Sequence, residues 1–385
     1  MKVLFITNHL EPERGGVSDY TRRLATECVR QGHETALISL NDKYVEGIQR
    51  EAIEVEQYPI PMLRLSGKIG WRRRVLRSKE FVSAFSPDWI SFQFVSYGFN
   101  PKGIVWNIGR QLKSIIGDRK LHIMVHELWI GESVEASLHD RLYRIPQRHF
   151  ILKTIKELNP RLVNTQSQAY ISILAKYGIR AEKLPLFGNI PVTSKSGDMW
   201  LFEKLKTQGV GINNEDRDDY WMFGMFGSLP LIWSPEPLFA YLKKAQKKYN
   251  KKIVILSIGD MSAGRKLWES ICREYKESFI FVELEVQSAE VISRVFNSID
   301  YGIATSPYQL VEKSGSVAAM LEHGLPVIVS RDDVHFRVFP ITKFRVDPLI
   351  IKMGNDLTKR IPELKKNFSE SRVQKTAQEL LESFA

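Results

Sequence analysis

Three places in this 385-residue chain combine residue types and spacing that could do chemistry. In "EPERGGVSDY" the adjacent glycines Gly15 and Gly16 stand between an apolar run and a helix-period segment. Glycine admits positive φ and lets a ligand approach the backbone with no Cβ in the way. Amides at the helix start would then face an anion such as a diphosphate. The competing reading is an ordinary loop with Ser18 or Asp19 capping the helix. His126 closes the run "HIMVH" at 122–126 and precedes Glu127, so it should emerge at a cleft edge, or else simply cap the strand end against nearby backbone. Arg265 and Lys266, in "IGDMSAGRKLW", follow a strand ending at Gly259. There they either face a bound anion or lie solvated on a helix.

Elements must position these residues. Short continuous apolar runs alternating with helix-period segments read as buried parallel strands with crossover helices. In the first half the strand candidates are 2–8, 35–40, 89–94, 122–126 and 161–166. In the second they are 220–227, 252–259, 278–283, 301–305 and 325–330. The expected class is therefore α/β, with two doubly wound, Rossmann-like sheets in tandem. Ligands of such sheets collect at the carboxyl ends of the strands, where the loops lead into helices. Expected domains are 1–190 and 191–360, with a linker near 188–195, an insertion at 195–219 and a charged helical tail at 361–385.

Composition restricts the partners. The formal charge of +11 favours an anionic partner, a nucleotide or a phospholipid surface, while no recognised nucleic-acid motif accompanies it. Cys28 and Cys272 are far apart and lack metal-ligand spacing, which fits a reducing compartment. No apolar run approaches the roughly 18 residues of a membrane span. A cytoplasmic protein is expected. "WRRRVLRSK" at 71–79 either touches an anionic bilayer at its inner face or is a solvated helix. There is no zinc cluster, P-loop or nucleophile elbow.

The stretches "GGVSDYTRRLATECVRQGHE", "MVHELW", "LPLFGNIP" and "TSPYQLVEKSGSVAAMLEHGLPVIVS" together resemble family 4 glycosyltransferases, which have the two-domain GT-B fold facing a central cleft. The resemblance implies transfer of a sugar from a nucleotide-diphosphate sugar, bound mainly by the second domain, to a sugar or lipid-linked acceptor held mainly by the first. It implies retention of configuration and no cofactor or bound metal. Asp216-Arg217-Asp218 formally matches the aspartate pair of metal-dependent transferases, but no apolar strand precedes it. His126 matches the histidine that the family places beside the transferred sugar, with Glu127 or a backbone carbonyl fixing its tautomer. Glu312 and Gly315 match the opening of the donor motif. Glu312 would then stand at the donor sugar, and the amides of a helix starting at Gly315 and Ser316, with Ser314 and Lys313 beside them, at the phosphates.

The chain also departs from the pattern. Ala319 stands where the family's ribose-binding glutamate belongs, leaving Glu322 either to replace it or to lie solvated near the helix end. Ser228 stands in the place of a diphosphate-binding arginine, and the lysine expected a few residues on is missing. The expected function is a glycosyltransferase of polysaccharide or glycolipid assembly; the alternative is a catalytically silent GT-B protein that binds a nucleotide-sugar or a partner glycosyltransferase.

Overall fold

"KVLFIT" has no polar face, and it forms a strand buried on both sides: Val3, Leu4, Phe5 and Ile6 are inaccessible to solvent. The computed structural model containing it describes residues 1–385 except 56–57, 194–197, 213–214, 339–343, 345 and 369–370. Two compact units emerge, one comprising Met1–Asn189, His335–Phe344 and Ser371–Ala385, the other Ile190–Val334 and Arg345–Glu370. The expected linker and insertion fall partly on 194–197 and 213–214, outside the described residues.

Unit 1 runs β1 (Lys2–Thr7), α1 (Gly16–Arg30), β2 (Glu34–Asp42), β3 (Ile48–Ile53), β4 (Ile60–Ser66), α2 (Trp71–Phe85), β5 (Trp89–Phe94), α3 (Ile108–Ile116), β6 (Lys120–Val125), α4 (Leu138–Leu158), β7 (Leu162–Thr165), α5 (Gln168–Lys176) and β8 (Glu182–Lys183). Its eight-stranded sheet has the order β3-β4-β2-β1-β5-β6-β7-β8. Pairing is parallel except for β3, which runs antiparallel to β4 at the edge. Tyr20, Leu24 and Cys28 of α1 are buried at a four-residue period, one helix face laid on the sheet.

Unit 2 runs α6 (Asp198–Thr207), β9 (Tyr220–Phe226), α7 (Glu236–Tyr249), β10 (Lys252–Ile258), α8 (Arg265–Tyr275), β11 (Ile280–Glu283), α9 (Ala289–Ser298), β12 (Tyr301–Pro307), α10 (Gly315–Glu322), β13 (Val327–Arg331), β14 (Ile350–Lys352) and α11 (Leu357–Arg360). Its six-stranded sheet, β11-β10-β9-β12-β13-β14, is parallel throughout. Large aromatic side chains share its core with isoleucine and leucine, and Trp221, Phe223, Phe239 and Trp268 are all buried. Arg217, the centre of the Asp-Arg-Asp triplet, anchors the start of β9: it bonds the carbonyls of Tyr220 and Ser298 and pairs with Asp300 at 2.7 Å.

The expected tail differs from what is found. Its helix, α12 (Arg372–Phe384), belongs to unit 1, where Val373, Leu380 and Phe384 share a core with Val3, Phe5 and Leu24. Phe384 stacks on Trp89 with ring centroids 4.3 Å apart, and its carbonyl accepts the indole N–H at 2.9 Å. The basic segment 71–79 opens α2 and is not wholly outward: Arg74 is buried, bonds the Leu40 carbonyl at 2.8 Å and lies 4.0 Å over the Trp71 ring. Among the described residues, no helix is long and apolar enough to cross a membrane.

Candidate functional site

In unit 1, α1 begins at Gly16, and the structure gives its two leading glycines different reasons. Gly15 has an extended backbone, φ 173°, which any residue adopts. A Cβ there would stand 2.9 Å from Cε1 and Nε2 of His9, so what excludes a side chain is the imidazole. Around Gly16 an added Cβ would meet nothing. Neither candidate cap serves as one: the Ser18 hydroxyl donates to the Glu11 carbonyl at 2.9 Å, and the Asp19 carboxylate accepts the Glu13 amide at 2.8 Å. Both pin the loop. The first intrahelical bond runs from the Asp19 amide to the Gly15 carbonyl, so the amides of Gly16, Val17 and Ser18 lead the helix without an intrahelical acceptor.

Beneath that loop lies an ion network which the motifs did not announce. Asp42, fully buried at the end of β2, accepts from Arg64 Nε at 2.9 Å and from the Leu10 amide at 3.2 Å. Arg64 Nη2 reaches Glu11 at 2.6 Å. Burial pushes the Asp42 carboxyl up, but the Arg64 hydrogen bond and the Tyr44 and Leu10 amides outweigh it and hold the group below the usual carboxylate range.

His126 follows β6 and is 6% exposed. Its Nε2 donates to Gln93 Oε1 at 2.9 Å, and its Nδ1 accepts from Gln166 Nε2 at 2.7 Å. Two neutral amides thus hold the tautomer, in place of the expected Glu127 or backbone carbonyl. Tyr20 of α1 packs edge-on against the ring at 5.1 Å, which brings the glycine-led helix and the histidine together. The chain continues inward: Gln93 Nε2 donates to Ser91 Oγ at 2.7 Å, and Ser91 bonds His122 Nδ1 at 2.9 Å. Complete burial keeps the His122 imidazole neutral, with its pKa down at about 3. A bond from His126 to a substrate hydroxyl therefore requires Gln93 or Gln166 to release a ring nitrogen. Sequence reasoning missed both glutamines, which are uncharged and lie 33 and 40 residues away from it.

In unit 2, Glu312 and Lys313 end a 3-10 turn, Tyr308–Lys313, and α10 follows directly. Ser314 caps it, accepting the Val317 amide at 3.4 Å, while its hydroxyl also accepts from Ser306 at 3.1 Å. The cap satisfies Val317 and leaves the amides of Gly315 and Ser316 ahead of the intrahelical ladder, beside an exposed Gly315. Gly227, at the carboxyl end of β9, has φ +86°, and a Cβ on it would sit 3.0 Å from Ser316 Oγ. That close approach draws the β9 end and the α10 start together. Arg265 is not a loose cation: its Nη1 pairs with Glu283 Oε1 at 2.8 Å, while Lys266 beside it is exposed. Ala319 is fully buried, so the position where the family carries a ribose-binding glutamate is core in this chain. Glu322 is only 8% exposed, which does not fit a solvated glutamate.

No protein-family model matches the chain, and no curated protein matches it. Solved structures do. HepE of Anabaena in complex with UDP and glucose is 16% identical with a TM-score of 0.58, the match covering 100% of this chain and 99% of that one. The α,α-trehalose-phosphate synthase (UDP-forming) of Burkholderia xenovorans, in complex with glucose-6-phosphate, is 11% identical with a TM-score of 0.55, covering 100% and 96%. UDP-GlcNAc 2-epimerase of Methanocaldococcus jannaschii is 12% identical with a TM-score of 0.52, covering 100% and 99%. At such identities the likeness is one of fold. The chain is an α/β protein of two parallel-sheet, Rossmann-like units and matches GT-B glycosyltransferase structures.

Proposed function

We propose that the protein is a nucleotide-sugar-dependent glycosyltransferase, similar to family 4, which moves a sugar with retention of configuration onto a saccharide or lipid-linked acceptor in polysaccharide or glycolipid assembly. The observation that carries this reading is the start of α10, where Glu312, Lys313, the Ser314 cap and the Gly315 and Ser316 amides adjoin in one turn. Amides of a capped helix start favour negative charge, and Lys313 adds to it. The leaving diphosphate is stabilised there while Glu312 addresses the donor sugar, a catalysis of positioning and charge stabilisation. HepE crystallised with UDP-glucose supports a donor of this class. No cofactor is called for.

A second reading has specific support. Arg265 is tied to Glu283, Ser228 stands in the arginine's place and Ala319 is core, so cations and a carboxylate expected around the donor are absent or engaged. On that reading the protein binds a nucleotide-sugar, or a partner transferase, without turnover. Titration calorimetry with a panel of nucleoside diphosphates and their sugars, followed by a donor-hydrolysis assay, separates the two. We expect binding and turnover, with Glu312→Ala lowering turnover about 100-fold, the scale of losing one transition-state contact, at unchanged melting temperature. Undiminished turnover in that variant removes Glu312 from the site, and binding without turnover by the parent protein selects the second reading.

A further inference from the structure

A cavity of about 280 Å³ opens within unit 1, where the loop after β6 meets α4 and the end of α5. Arg141, Arg144, Arg148, Lys176 and Arg337 line it, with one carboxylate, Glu132, among them. That carboxylate, whose Oε1 accepts the Trp129 indole N–H at 2.7 Å, offsets one of the five positive charges and leaves the lining strongly basic. The three α4 arginines recur at intervals of three and four residues, which places them on one helix face.

Their contacts orient these cations without neutralising them. Arg141 bonds the Val134 carbonyl at 2.9 Å, and Arg144 reaches the Gly131 carbonyl at 3.4 Å. Arg148 donates to the Tyr177 hydroxyl at 2.9 Å, while Lys176 lies 5.7 Å over that same ring. None of the five is paired with a carboxylate among the described residues, whereas Arg64 and Arg77 of the same unit are. Arg144 Nε is buried with no hydrogen-bond partner. Each guanidinium has five N–H donors, and the bonds above use only one from each α4 arginine. Like charges crowded around a concave wall repel one another, and a multiply charged anion offsets that cost. The cavity's volume, below the roughly 300 to 1,000 Å³ of pockets for drug-sized ligands, fits a small head group rather than a whole nucleotide.

We propose that this cavity of unit 1 binds a phosphate-bearing group with two or more negative charges, a reading that does not rest on the transferase proposal. The group is either a soluble phosphate ester or the head of a lipid. Beside the arginine row, Leu138, Leu142 and Ile145 of α4 are 79%, 69% and 54% exposed, an apolar row that a phosphate carried on an acyl or prenyl chain would also meet.

Calorimetric titration of the full chain with inorganic pyrophosphate tests the site, with UDP titrated in parallel. Arg144→Gln/Arg148→Gln is expected to weaken pyrophosphate binding at least tenfold and leave UDP binding within twofold. Arg141→Glu, at an exposed side chain, repeats the test where folding is not in question. Cosedimentation with phosphatidylcholine vesicles, with and without phosphatidic acid, distinguishes the sources. Capture that depends on phosphatidic acid and is lost in Leu142→Ser, with pyrophosphate affinity unchanged, identifies a lipid phosphate. Pyrophosphate binding without capture identifies a soluble ester. Pyrophosphate affinity equal in the parent and both arginine variants, or no binding by either probe, overturns the proposal.

Discussion

The two units present their candidate groups in opposite ways. In unit 1 the chain His122, Ser91, Gln93, His126 and Gln166 is buried, and each member is held by a neighbouring side chain. In unit 2 the α10 turn offers backbone amides and half-buried side chains around an exposed glycine. A group held by packing is costly to alter, because removing one partner strands the next. A group offered by a helix start is adjustable, because the helix survives the change. Substitutions in unit 1 should therefore register first as stability, and those at the α10 turn first as binding or turnover.

The sharpest contrast is expected at Arg64. Arg64→Ala leaves the buried Asp42 carboxylate without its cation, held only by the Leu10 and Tyr44 amides and the Ser39 hydroxyl, and should cost about 3 to 5 kcal/mol in urea unfolding. A loss below 1 kcal/mol would mean that Asp42 is not ionised in the folded chain.

His122 comes next, through pH. Its folded pKa of about 3 lies below the 6.5 of the unfolded chain, so between those values the unfolded chain takes up a proton that the folded chain refuses. Stability is complete above pH 6.5 and declines on acidification. At about 1.36 kcal/mol per unit, this group removes about 2 kcal/mol between pH 6.5 and 5. Comparing urea midpoints at pH 7 and 5 should show His122→Gln with a smaller acid loss than the parent. Identical acid losses would transfer the effect to other groups.

Smaller still is the glycine pair. Gly15→Ala pushes a methyl against the tip of the His9 ring and should cost about 1 kcal/mol as the ring shifts, whereas Gly16→Ala should stay within about 0.5 kcal/mol of the parent in thermal unfolding. Equal effects would contradict the close approach. Ser314→Ala ends the series: loss of the α10 cap should cost about 1 kcal/mol while weakening UDP binding. A stability change with no change in UDP affinity would place the nucleotide away from α10.

Legibility from the sequence followed burial. Strands buried on both faces, such as β1, β5 and β10, read as unbroken apolar runs, and they lie within a residue or two of where periodicity put them. The hairpin β3–β4 escaped because "IQREAI" is a partly exposed edge strand without an apolar run, and its partner carries a proline and an arginine. β14 is only three residues long. At the site, His126 was visible as a polar residue closing an apolar strand, but Gln93 and Gln166 leave no pattern, since what joins them is sheet order rather than spacing. The arginine row of α4 was present as 141, 144 and 148, yet the exposed Leu138 and Leu142 blur the helix's polar face. Gly15 was noticed, though for a freedom it does not use; its actual neighbour, His9, is a contact that no local rule foretells.

The docking of α12 onto the β1 side of unit 1 orders events during synthesis. A nascent chain that has emerged as far as residue 189 still exposes the apolar surface reserved for Val373, Leu380 and Phe384, and more than 180 further residues must leave the ribosome before that surface is covered. At roughly 5 to 20 residues per second this is a wait of about 10 to 40 s. Over that interval unit 2, whose main segment is contiguous, is free to mature first, and the half of the protein made earliest is the one that closes last.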